Sequence, residues 1–243
     1  MPRIRNLYDP ESASPYRLSR TKLENFLKCP RCFYLDRRLG VGQPPGFPFN
    51  INSAVDELLK REFDECRSKG VAHPYMVDAG IKAVPANHSD LDQWRKNFVG
   101  VSYLHPVTNF EVFGAIDDLW LTEGGEYLVV DYKATAKKDE VNLDADWQIS
   151  YKRQMEIYQW LLRKNGLPIS NRGWFVYCNG KRDLNRFDNK VEFRVSLLPY
   201  DGNDDWVETA LIEAKETLNR GDLPPPDENC DFCTYRQETA VFE

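Results

Sequence analysis

The sequence predicts a mixed α/β fold, in which helices flank a central mixed sheet. A nearly continuous apolar run, Tyr127–Tyr132, is typical of a central strand that is buried on both faces. A second strand pattern covers residues 110–121, and residues 123–126 between the two have the composition of a hairpin turn. Helical patterns precede and follow this hairpin. We therefore expect one α/β domain that comprises residues 1–243.

The N-terminal part of the chain is predicted to be helical. Ser19 is a suitable N-cap for a helix that continues to Lys28, where Cys29-Pro30 ends or kinks it because proline cannot donate the next backbone hydrogen bond. A second helix is expected over residues 53–68, with apolar residues repeating along one side. Residues 70–100 are weakly periodic and predict no more than a helical turn or two.

After the hairpin, the pattern alternates between helix and strand. A helix over residues 146–165 is expected to stop at Gly166, because glycine readily adopts the left-handed conformation that ends helices. The remaining predicted elements are two strands and a last helix, at 172–178, 191–198 and from 204 or 205 to about 220.

Composition restricts the classes of function. No apolar run approaches the roughly 20 residues that a membrane-spanning helix needs, and the N-terminus lacks the apolar segment of a secretory signal. We therefore expect a cytoplasmic protein with no membrane partner, in a reducing compartment where paired CxxC motifs indicate metal more than disulfides. The net charge of −6 argues mildly against non-specific nucleic-acid binding, although carboxylates gathered at a metal site would contribute to that charge.

The register of the hairpin decides whether two aspartates can meet. If the loop comprises the three residues 123–125, Asp117 lies directly across from Asp131 and both side chains share one face of the sheet. Lys133 shares that face too, because side chains alternate along a strand. A two-residue loop would turn Asp117 to the other face unless a bulge intervened. A shared site therefore requires the longer loop or a bulge.

Asp117, Asp131 and Lys133 together have the chemistry of a metal-dependent phosphodiesterase. Adjacent carboxylates repel each other, and a divalent cation such as Mg²⁺ or Mn²⁺ relieves that repulsion. The cation can activate a water and neutralise a phosphate, and a lysine can stabilise charge that develops in the transition state. The alternative is an ordinary charged strand end, because a lone Asp-x-Lys is a weak motif. Gln154 and Tyr158 share one face of the next helix, either as site residues or as part of its packing stripe.

Four of the six cysteines form two CxxC pairs near the ends of the chain, Cys29 with Cys32 and Cys230 with Cys233. Each pair can supply two thiolates to one metal centre, which would clamp segments 19–35 and 222–236 together. Zinc and an iron–sulfur cluster both take four thiolates, so composition does not separate them. The alternative is that these cysteines occur in helices by chance and share no metal site. A filled site would stabilise the domain, because it closes a long loop.

Taken in order, these motifs resemble the PD-(D/E)XK nuclease superfamily, from about Ser19 to Cys233. The resemblance implies a restriction-endonuclease-like core and metal-dependent cleavage of phosphodiester bonds. It also implies roles for the matching residues: Asp117 and Asp131 bind the metal, and Lys133 is the catalytic lysine. Gln154 and Tyr158 support them or contact DNA. The matching segments are Gly114-x-Ile116-Asp117, Val130-Asp131-Tyr132-Lys133 and Gln154-x-x-x-Tyr158.

Within that superfamily the sequence is most similar to the RecB-like branch, which includes the CRISPR-associated exonucleases. Such relatives often carry a metal-binding histidine early in the second helix, where this chain has Asn52–Asp56 instead. Asp56 is therefore the candidate third metal ligand. Ser53-x-x-Asp56 is also a capping-box pattern, so Asp56 is either a ligand or a helix cap. The missing histidine leaves the metal preference and the activity level open.

The cysteines extend the resemblance. Similar nucleases of the iron-staple type join one N-terminal cysteine to a group of three C-terminal cysteines around a [4Fe-4S] cluster. This chain has two plus two, so Cys32 would supply the fourth ligand beside Cys29, Cys230 and Cys233. On this basis the resemblance favours a [4Fe-4S] cluster, with Zn²⁺ as the alternative.

The expected function is a Mg²⁺- or Mn²⁺-dependent DNA nuclease that acts on single strands or duplex ends. Repair, recombination or CRISPR adaptation is its expected setting, with protein partners from those processes, and RNA stays open as a substrate. One rival is a catalytically degenerate nucleic-acid-binding or scaffold protein on the same fold. Another is a metal-stapled interaction module in which the Asp-x-Lys motif is incidental. Cleavage polarity and oligomeric state are not readable from the sequence.

Overall fold

The computed structural model describes residues 6–44 and 50–242. The chain forms two compact units. Residues 6–44, 102–113 and 205–242 make the terminal unit, and residues 50–101 and 114–204 make the central unit. The prediction of one domain over residues 1–243 stays a prediction.

Helices and strands follow one another along the described chain. The helices are α1 (Arg20–Lys28), α2 (Pro30–Arg37), α3 (Asn50–Lys69), α4 (Pro74–Asp78), α5 (Leu91–Trp94), α6 (Ile149–Lys164), α7 (Trp206–Asn219) and α8 (Asp231–Thr239). The strands are β1 (Tyr16–Ser19), β2 (Ala83–Pro85), β3 (Val101–His105), β4 (Phe110–Gly114), β5 (Asp118–Thr122), β6 (Tyr127–Thr135), β7 (Arg172–Gly180) and β8 (Phe193–Asp201). A short 3-10 helix, Asp146–Gln148, leads into α6.

The boundaries of the first two helices lie where the local side-chain chemistry predicts them. The Ser19 hydroxyl accepts a hydrogen bond from the backbone N–H of Lys22 at 3.3 Å, which satisfies one of the free donors at the start of α1. Cys29 then ends α1 and also precedes α2, with Pro30 in the first turn of the new helix. Proline is tolerated there because its missing N–H has no partner in a first turn.

The long strand predicted over residues 110–121 is wrong, because the chain leaves the strand in the middle. β4 ends at Gly114 and joins a sheet in the terminal unit, whereas β5 begins at Asp118 and joins the sheet of the central unit. The backbone between them is bonded elsewhere: the N–H of Ile116 donates to the carbonyl of Trp94 at 3.1 Å. Tertiary hydrogen bonds therefore replace the strand ladder at residues 115–117.

The central unit is built on a mixed five-stranded sheet in the order β2-β5-β6-β7-β8. β6 and β7 run parallel, and the other neighbouring pairs are antiparallel. The parallel pair requires a crossover, and α6 provides it. The apolar run that begins at Tyr127 thus forms the middle strand, as its composition predicts.

The two faces of β6 carry different kinds of side chain near Asp131, apolar on one and polar on the other. On one face, Val130 and Tyr132 pack with Trp120 of β5 and Phe63 of α3 in a buried apolar cluster. α6 contacts β6 as well. Because side chains alternate along the strand, Asp131 and Lys133 point away from the α3 cluster. The core on one face thus holds the polar residues in place on the other.

The terminal unit has a three-stranded sheet in the order β1-β4-β3, with β1 parallel to β4. α7 contacts both α1 and α2. Polar contacts add to this packing, since Tyr34 donates to the carbonyl of Arg220 at 3.0 Å and Arg31 donates to that of Pro224 at 2.7 Å. The two ends of the chain are therefore joined within one unit. None of the helices in the described ranges combines the length and the apolar character that a membrane crossing requires.

Candidate active site and cysteine metal centre

The β5–β6 hairpin has the three-residue loop that a shared site requires. Asp118 pairs with Val130 and Leu119 with Val129, and the N–H of Thr122 donates to the carbonyl of Glu126 at 3.0 Å. The ladder ends at Asp118, so Asp117 directly precedes the paired residues of β5. The Asp117 carboxylate accepts a hydrogen bond from the backbone N–H of Tyr132 at 2.9 Å, which holds it against β6.

Asp131, Lys133, Gln154 and Tyr158 form one hydrogen-bonded group. The Gln154 amide donates to Asp131 Oδ1 at 2.7 Å and to the Tyr158 hydroxyl at 3.2 Å. The Lys133 ammonium lies against Asp131 Oδ2 in an ion pair and 3.5 Å from Gln154 Oε1. Helical spacing brings Gln154 and Tyr158 to one face of α6, and that face meets the polar side of β6. Four of the predicted site residues thus lie together.

The Asp131 carboxylate is completely buried, whereas Lys133 retains 14% side-chain exposure. A buried carboxylate needs both a cation and hydrogen bonds, because burial penalises its charge. Lys133 also lies over the Tyr151 ring, with Nζ 4.7 Å from the ring centroid. Burial and the charge of Asp131 raise the pKa of Tyr151, so this phenol stays neutral. Sequence reasoning did not single out Tyr151.

Asp56 and Asp117 share a different lysine. Lys60 Nζ lies 2.7 Å from Asp56 Oδ2 and 3.6 Å from Asp117 Oδ1. Burial and then the charge of Asp117 raise the pKa of Asp56. Burial lowers the pKa of Lys60, but Asp117 and Asp56 outweigh it and raise that pKa overall. The sequence signal for Lys60 was the spacing Asp56-x-x-x-Lys60, which puts both side chains on one helix face.

The alternative reading of Asp56 as a helix cap is wrong. α3 already includes Asn50 to Ser53, so Ser53 lies inside the helix and cannot be its N-cap. Near the start of this helix, the Asn52 amide donates to the carbonyl of Ala134 at 3.3 Å and fastens α3 to β6. Asp56, one turn later, thus lies at the site and not at a cap.

The carboxylates suit a hard divalent cation by chemistry, since Mg²⁺ and Mn²⁺ prefer oxygen ligands. Asp56, Asp117 and Asp131 are not gathered tightly: within the described ranges, only the cysteine group brings three or more potential ligand atoms within 4.8 Å of one another. The ammonium groups of Lys60 and Lys133 contact these carboxylates instead. A cleft of about 230 Å³, lined by Asp56, Lys133 and Tyr151 among others, opens onto this group.

Asp118 has a structural task although it adjoins Asp117 in the sequence. Its side chain is completely buried and is paired with Arg67 at 2.5 Å and Arg95 at 2.9 Å. The Tyr132 hydroxyl donates to its second oxygen at 2.8 Å. Arg95 also donates to the backbone carbonyl of Asp117 at 2.9 Å. This network therefore holds the backbone that carries Asp117.

The four cysteines of the two CxxC pairs meet in the terminal unit. The Sγ separations are 3.6 Å for Cys29–Cys233, 3.6 Å for Cys32–Cys230 and 4.0 Å for Cys32–Cys233. Cys29 precedes α2 and Cys230 precedes α8, so both pairs lie at helix N-termini, where the backbone favours thiolates. Burial raises the pKa of Cys32 to about 11, and a bound cation would offset that penalty.

Sulfur spacing differs between kinds of metal centre. Four sulfurs bound tetrahedrally to one ion at about 2.3 Å lie roughly 3.8 Å apart. In a [4Fe-4S] cluster each thiolate binds a different iron, so the sulfurs stand further apart around the cube. Three of the six sulfur pairs are 3.6 to 4.0 Å apart, and all four sulfurs lie within 4.8 Å of one another, so they could bind a metal together.

A family model described as the PD-(D/E)XK nuclease superfamily matches residues 17–237. The chain belongs to this superfamily. Membership implies nuclease activity and hence a nucleic-acid substrate. The match includes every predicted site residue of this PD-(D/E)XK protein, both the carboxylate group and the four cysteines.

Other comparisons add less to the description of this PD-(D/E)XK protein. Seven chains of solved structures match it. One, titled "Crystal structure of SSO0001", is 14% identical and has a TM-score of 0.40, with 97% of this chain and 88% of that chain covered. A TM-score this low supports no inference about this protein from that structure. No curated protein matches the sequence.

Proposed function

We propose that this protein is a Mg²⁺- or Mn²⁺-dependent DNA nuclease of the RecB-like branch, which cuts single strands or duplex ends. One observation carries the proposal: Asp131, Lys133, Gln154 and Tyr158 are hydrogen-bonded together on the face of β6 that Asp117 adjoins. A charged strand end would not need a buried carboxylate with two dedicated polar partners. Membership in the superfamily supports the same reaction class.

Asp117 and Asp131 would hold the cation, with Asp56 as the third ligand. A bound divalent cation supplies a more acidic water and neutralises charge on the scissile phosphate. Burial and then the charge of Asp117 raise the pKa of Asp56, which supports this assignment because a bound cation would offset both effects. In the absence of a cation, the Lys60 ammonium neutralises Asp56 and Asp117, and it would move aside when a cation binds.

Lys133 would stabilise the negative charge that develops on the phosphate in the transition state. Gln154 positions it, because one amide accepts from Lys133 and donates to Asp131. The Tyr158 hydroxyl accepts from the same amide and fixes its orientation. Tyr151 lies beneath the ammonium and limits the directions in which it can swing. The site is thus preorganised around one lysine.

The setting of the nuclease is part of the proposal. The ordered motifs support a role in repair, recombination or CRISPR adaptation, with protein partners from those processes, and they support one nuclease domain over residues 1–243. Paired CxxC motifs that meet in one four-cysteine group support a reducing, cytoplasmic setting, where such motifs bind metal more than they form disulfides.

At the cysteine centre we propose a single Zn²⁺ ion in place of the expected [4Fe-4S] cluster. Three sulfur separations of 3.6 to 4.0 Å, with all four sulfurs within 4.8 Å of one another, support a single tetrahedral ion. Its role is structural, since four protein ligands leave no open coordination position. No step of the cleavage reaction runs through it.

Cleavage of end-labelled nucleic acids tests the nuclease directly. Purified protein is incubated with single-stranded DNA, duplex DNA and RNA, with Mn²⁺ or with EDTA. We expect Mn²⁺-dependent cutting that falls by at least about 100-fold in Lys133→Ala, as for the loss of a group that stabilises transition-state charge. Lys69→Ala, at the exposed end of α3, is the matched control and should cut like the parent.

The rival functions have their own outcomes in this assay. A parent protein that binds DNA but cuts none of the substrates would indicate a degenerate, binding or scaffold protein on the same fold. Equal cutting by Lys133→Ala and the parent would overturn the assignment of the site. Circular dichroism of the variant keeps loss of activity apart from loss of fold.

A further inference from the structure

A strongly basic pocket of about 270 Å³ lies at the ends of β6 and β7. Five cationic side chains and one acidic side chain line it, together with the backbone at Gly180. The charged residues are Lys137, Lys138, Lys181, Arg182, Arg194 and Asp183. In a chain whose net charge is −6, this concentration of positive charge is local and specific.

The pocket is held in shape by a buried asparagine. Asn179 is 6% exposed, and its side chain accepts from the N–H of Lys137 at 2.8 Å and donates to the carbonyl of Lys137 at 3.2 Å. Arg182 donates to the carbonyl of Ala136 at 3.4 Å. The segment that follows β6 is thus fastened to the end of β7. A solvated charged face would not need such bracing of its backbone.

Two aromatic rings connect the pocket with the proposed catalytic lysine. Lys133 Nζ lies 4.7 Å from the centroid of the Tyr151 ring. The Tyr151 ring meets the Trp147 ring edge to face at 5.3 Å, and Lys137 Nζ lies 4.9 Å from the Trp147 centroid. Lys137 itself lines the basic pocket. Tyr151 and Trp147, the aromatic track, therefore bridge the two cationic groups without a gap.

The track has the dimensions of a short stretch of nucleic acid. Lys133 lies in β6 and Lys137 two residues past its end, and four residues of chain span at most roughly 14 Å. Phosphates of a stacked strand repeat every ~3.4 Å along the axis, so the track covers a few nucleotides. Trp147 is 51% exposed, although a large aromatic ring is normally buried, and its free surface is available to a base.

We propose that the aromatic track and the basic pocket form a binding site for single-stranded nucleic acid that leads to the reacting phosphate. The proposal rests on the proposed nuclease and names its substrate class. Cationic side chains track the phosphates, and Trp147 stacks on a base. This combination is how proteins bind single strands without sequence preference. In a duplex the bases are paired and stacked on each other, so Trp147 would have no free base face to contact.

Binding without cleavage tests the site. Fluorescence anisotropy of a labelled oligothymidine is measured in EDTA at several salt concentrations. Removal of two phosphate contacts in Lys138→Ala/Arg194→Ala should weaken binding about tenfold and reduce the salt slope by about 1.4. Trp147→Ala should weaken it by about fivefold or more, and Trp147→Phe should restore most of that loss, because a ring is what stacking requires.

The matched control is Lys69→Ala/Arg172→Ala, which removes the same charge elsewhere in the central unit. Arg172 lies at the start of β7, the opposite end from Asn179, and is paired with Asp201. This control should bind like the parent. Equal losses in the control and the pocket variant would overturn the proposal, because general electrostatics would then explain the binding. Tight binding of duplex DNA with no effect of Trp147→Ala would overturn it as well.

Failure of this site and failure of the proposed nuclease are distinguishable. If the parent protein binds single strands through Trp147 but never cuts with Mn²⁺, the proposed binding site stands and the proposed nuclease activity is wrong. If the parent protein cuts with Mn²⁺ while the pocket and Trp147 variants bind normally, the proposed nuclease activity stands and the proposed binding site is wrong.

Discussion

The surroundings of a charged side chain in this protein depend on its tertiary contacts as well as on its position in the sequence. Asp117 and Asp118 are neighbours, yet one contacts Lys60 and the backbone of β6, and the other is completely buried between two arginines. Alternation along the strand explains the difference, because consecutive side chains point to opposite faces. An aspartate pair in a sequence therefore does not indicate a pair of metal ligands.

The raised pKa of Asp56 leads to a prediction for stability. Its ordinary value is 3.8, and burial and Asp117 raise it in the folded protein. The folded state then binds a proton more tightly than the unfolded state, so stability falls as the pH rises from about 3.8 through the raised value. Asp56→Asn cannot ionise and avoids this loss. In EDTA it should be more stable than the parent at pH 7, and with Mn²⁺ it should cut DNA more slowly than the parent.

Urea unfolding in EDTA across pH values measures this effect, and the advantage of Asp56→Asn should shrink toward pH 4. Mn²⁺ should stabilise the parent more than the variant, because only the parent keeps the third carboxylate. Glu57→Gln is the matched control on the same helix, since the Glu57 side chain is 69% exposed. A stability gain of the same size in Glu57→Gln would contradict the explanation.

At the scale of elements, a buried ionic network joins α3, β5, β6 and the segment after α5. Arg67 and Arg95 both pair with Asp118, and Arg95 also pairs with Asp64 at 2.8 Å. Each arginine side chain is only 10% exposed, so its charge depends on these carboxylates. The network also binds the backbone of Asp117, which connects the packing of these elements to the geometry of the site.

Asp118→Asn should therefore destabilise the protein by about 3–5 kcal/mol, because it leaves two buried guanidinium groups short of a counter-ion. Urea unfolding at neutral pH gives this free energy. Asp201→Asn, which breaks the exposed pair with Arg172, is the matched control and should cost less than about 1 kcal/mol. A loss for Asp118→Asn no larger than that of the control would show that the network is dispensable.

At the scale of the whole molecule, the cysteine centre joins segments that are far apart in the chain. Cys29 and Cys233 are 204 residues apart in sequence, and their sulfurs lie 3.6 Å apart. Closing so long a loop removes many conformations of the unfolded chain, and binding of a metal is then part of the free energy of folding. The centre lies in the terminal unit.

Metal analysis of the purified protein tests the single-ion proposal. We expect about one zinc per chain and no iron–sulfur absorbance, as four thiolates around one ion require. Cys233→Ser should lose the metal and lower the thermal midpoint, whereas Cys66→Ser, in α3 and outside the centre, should keep it. Four irons per chain with a visible charge-transfer spectrum in anaerobically purified protein would contradict the proposal.

Several features could be predicted because their causes are local. Ser19 caps α1 through a contact three residues away, and Gly166 follows α6 with a φ of 84°, as a helix stop requires. The sequence left a three-residue and a two-residue hairpin loop open, and the structure has the three-residue loop 123–125. The order of the motifs led to the superfamily, and the two CxxC pairs led to a four-cysteine centre.

Other features depend on contacts between residues that are distant in sequence, and only the tertiary structure decided them. The strand broke at residues 115–117 because Trp94 and Arg95 bind that backbone. Asp56 lies inside α3 and pairs with Lys60, because the helix starts earlier than the capping pattern suggested. Sequence alone thus determined which chemical groups are present and in what order. The fold decided which of them touch, because ion pairs, sulfur separations and ring contacts form only when separate elements pack together.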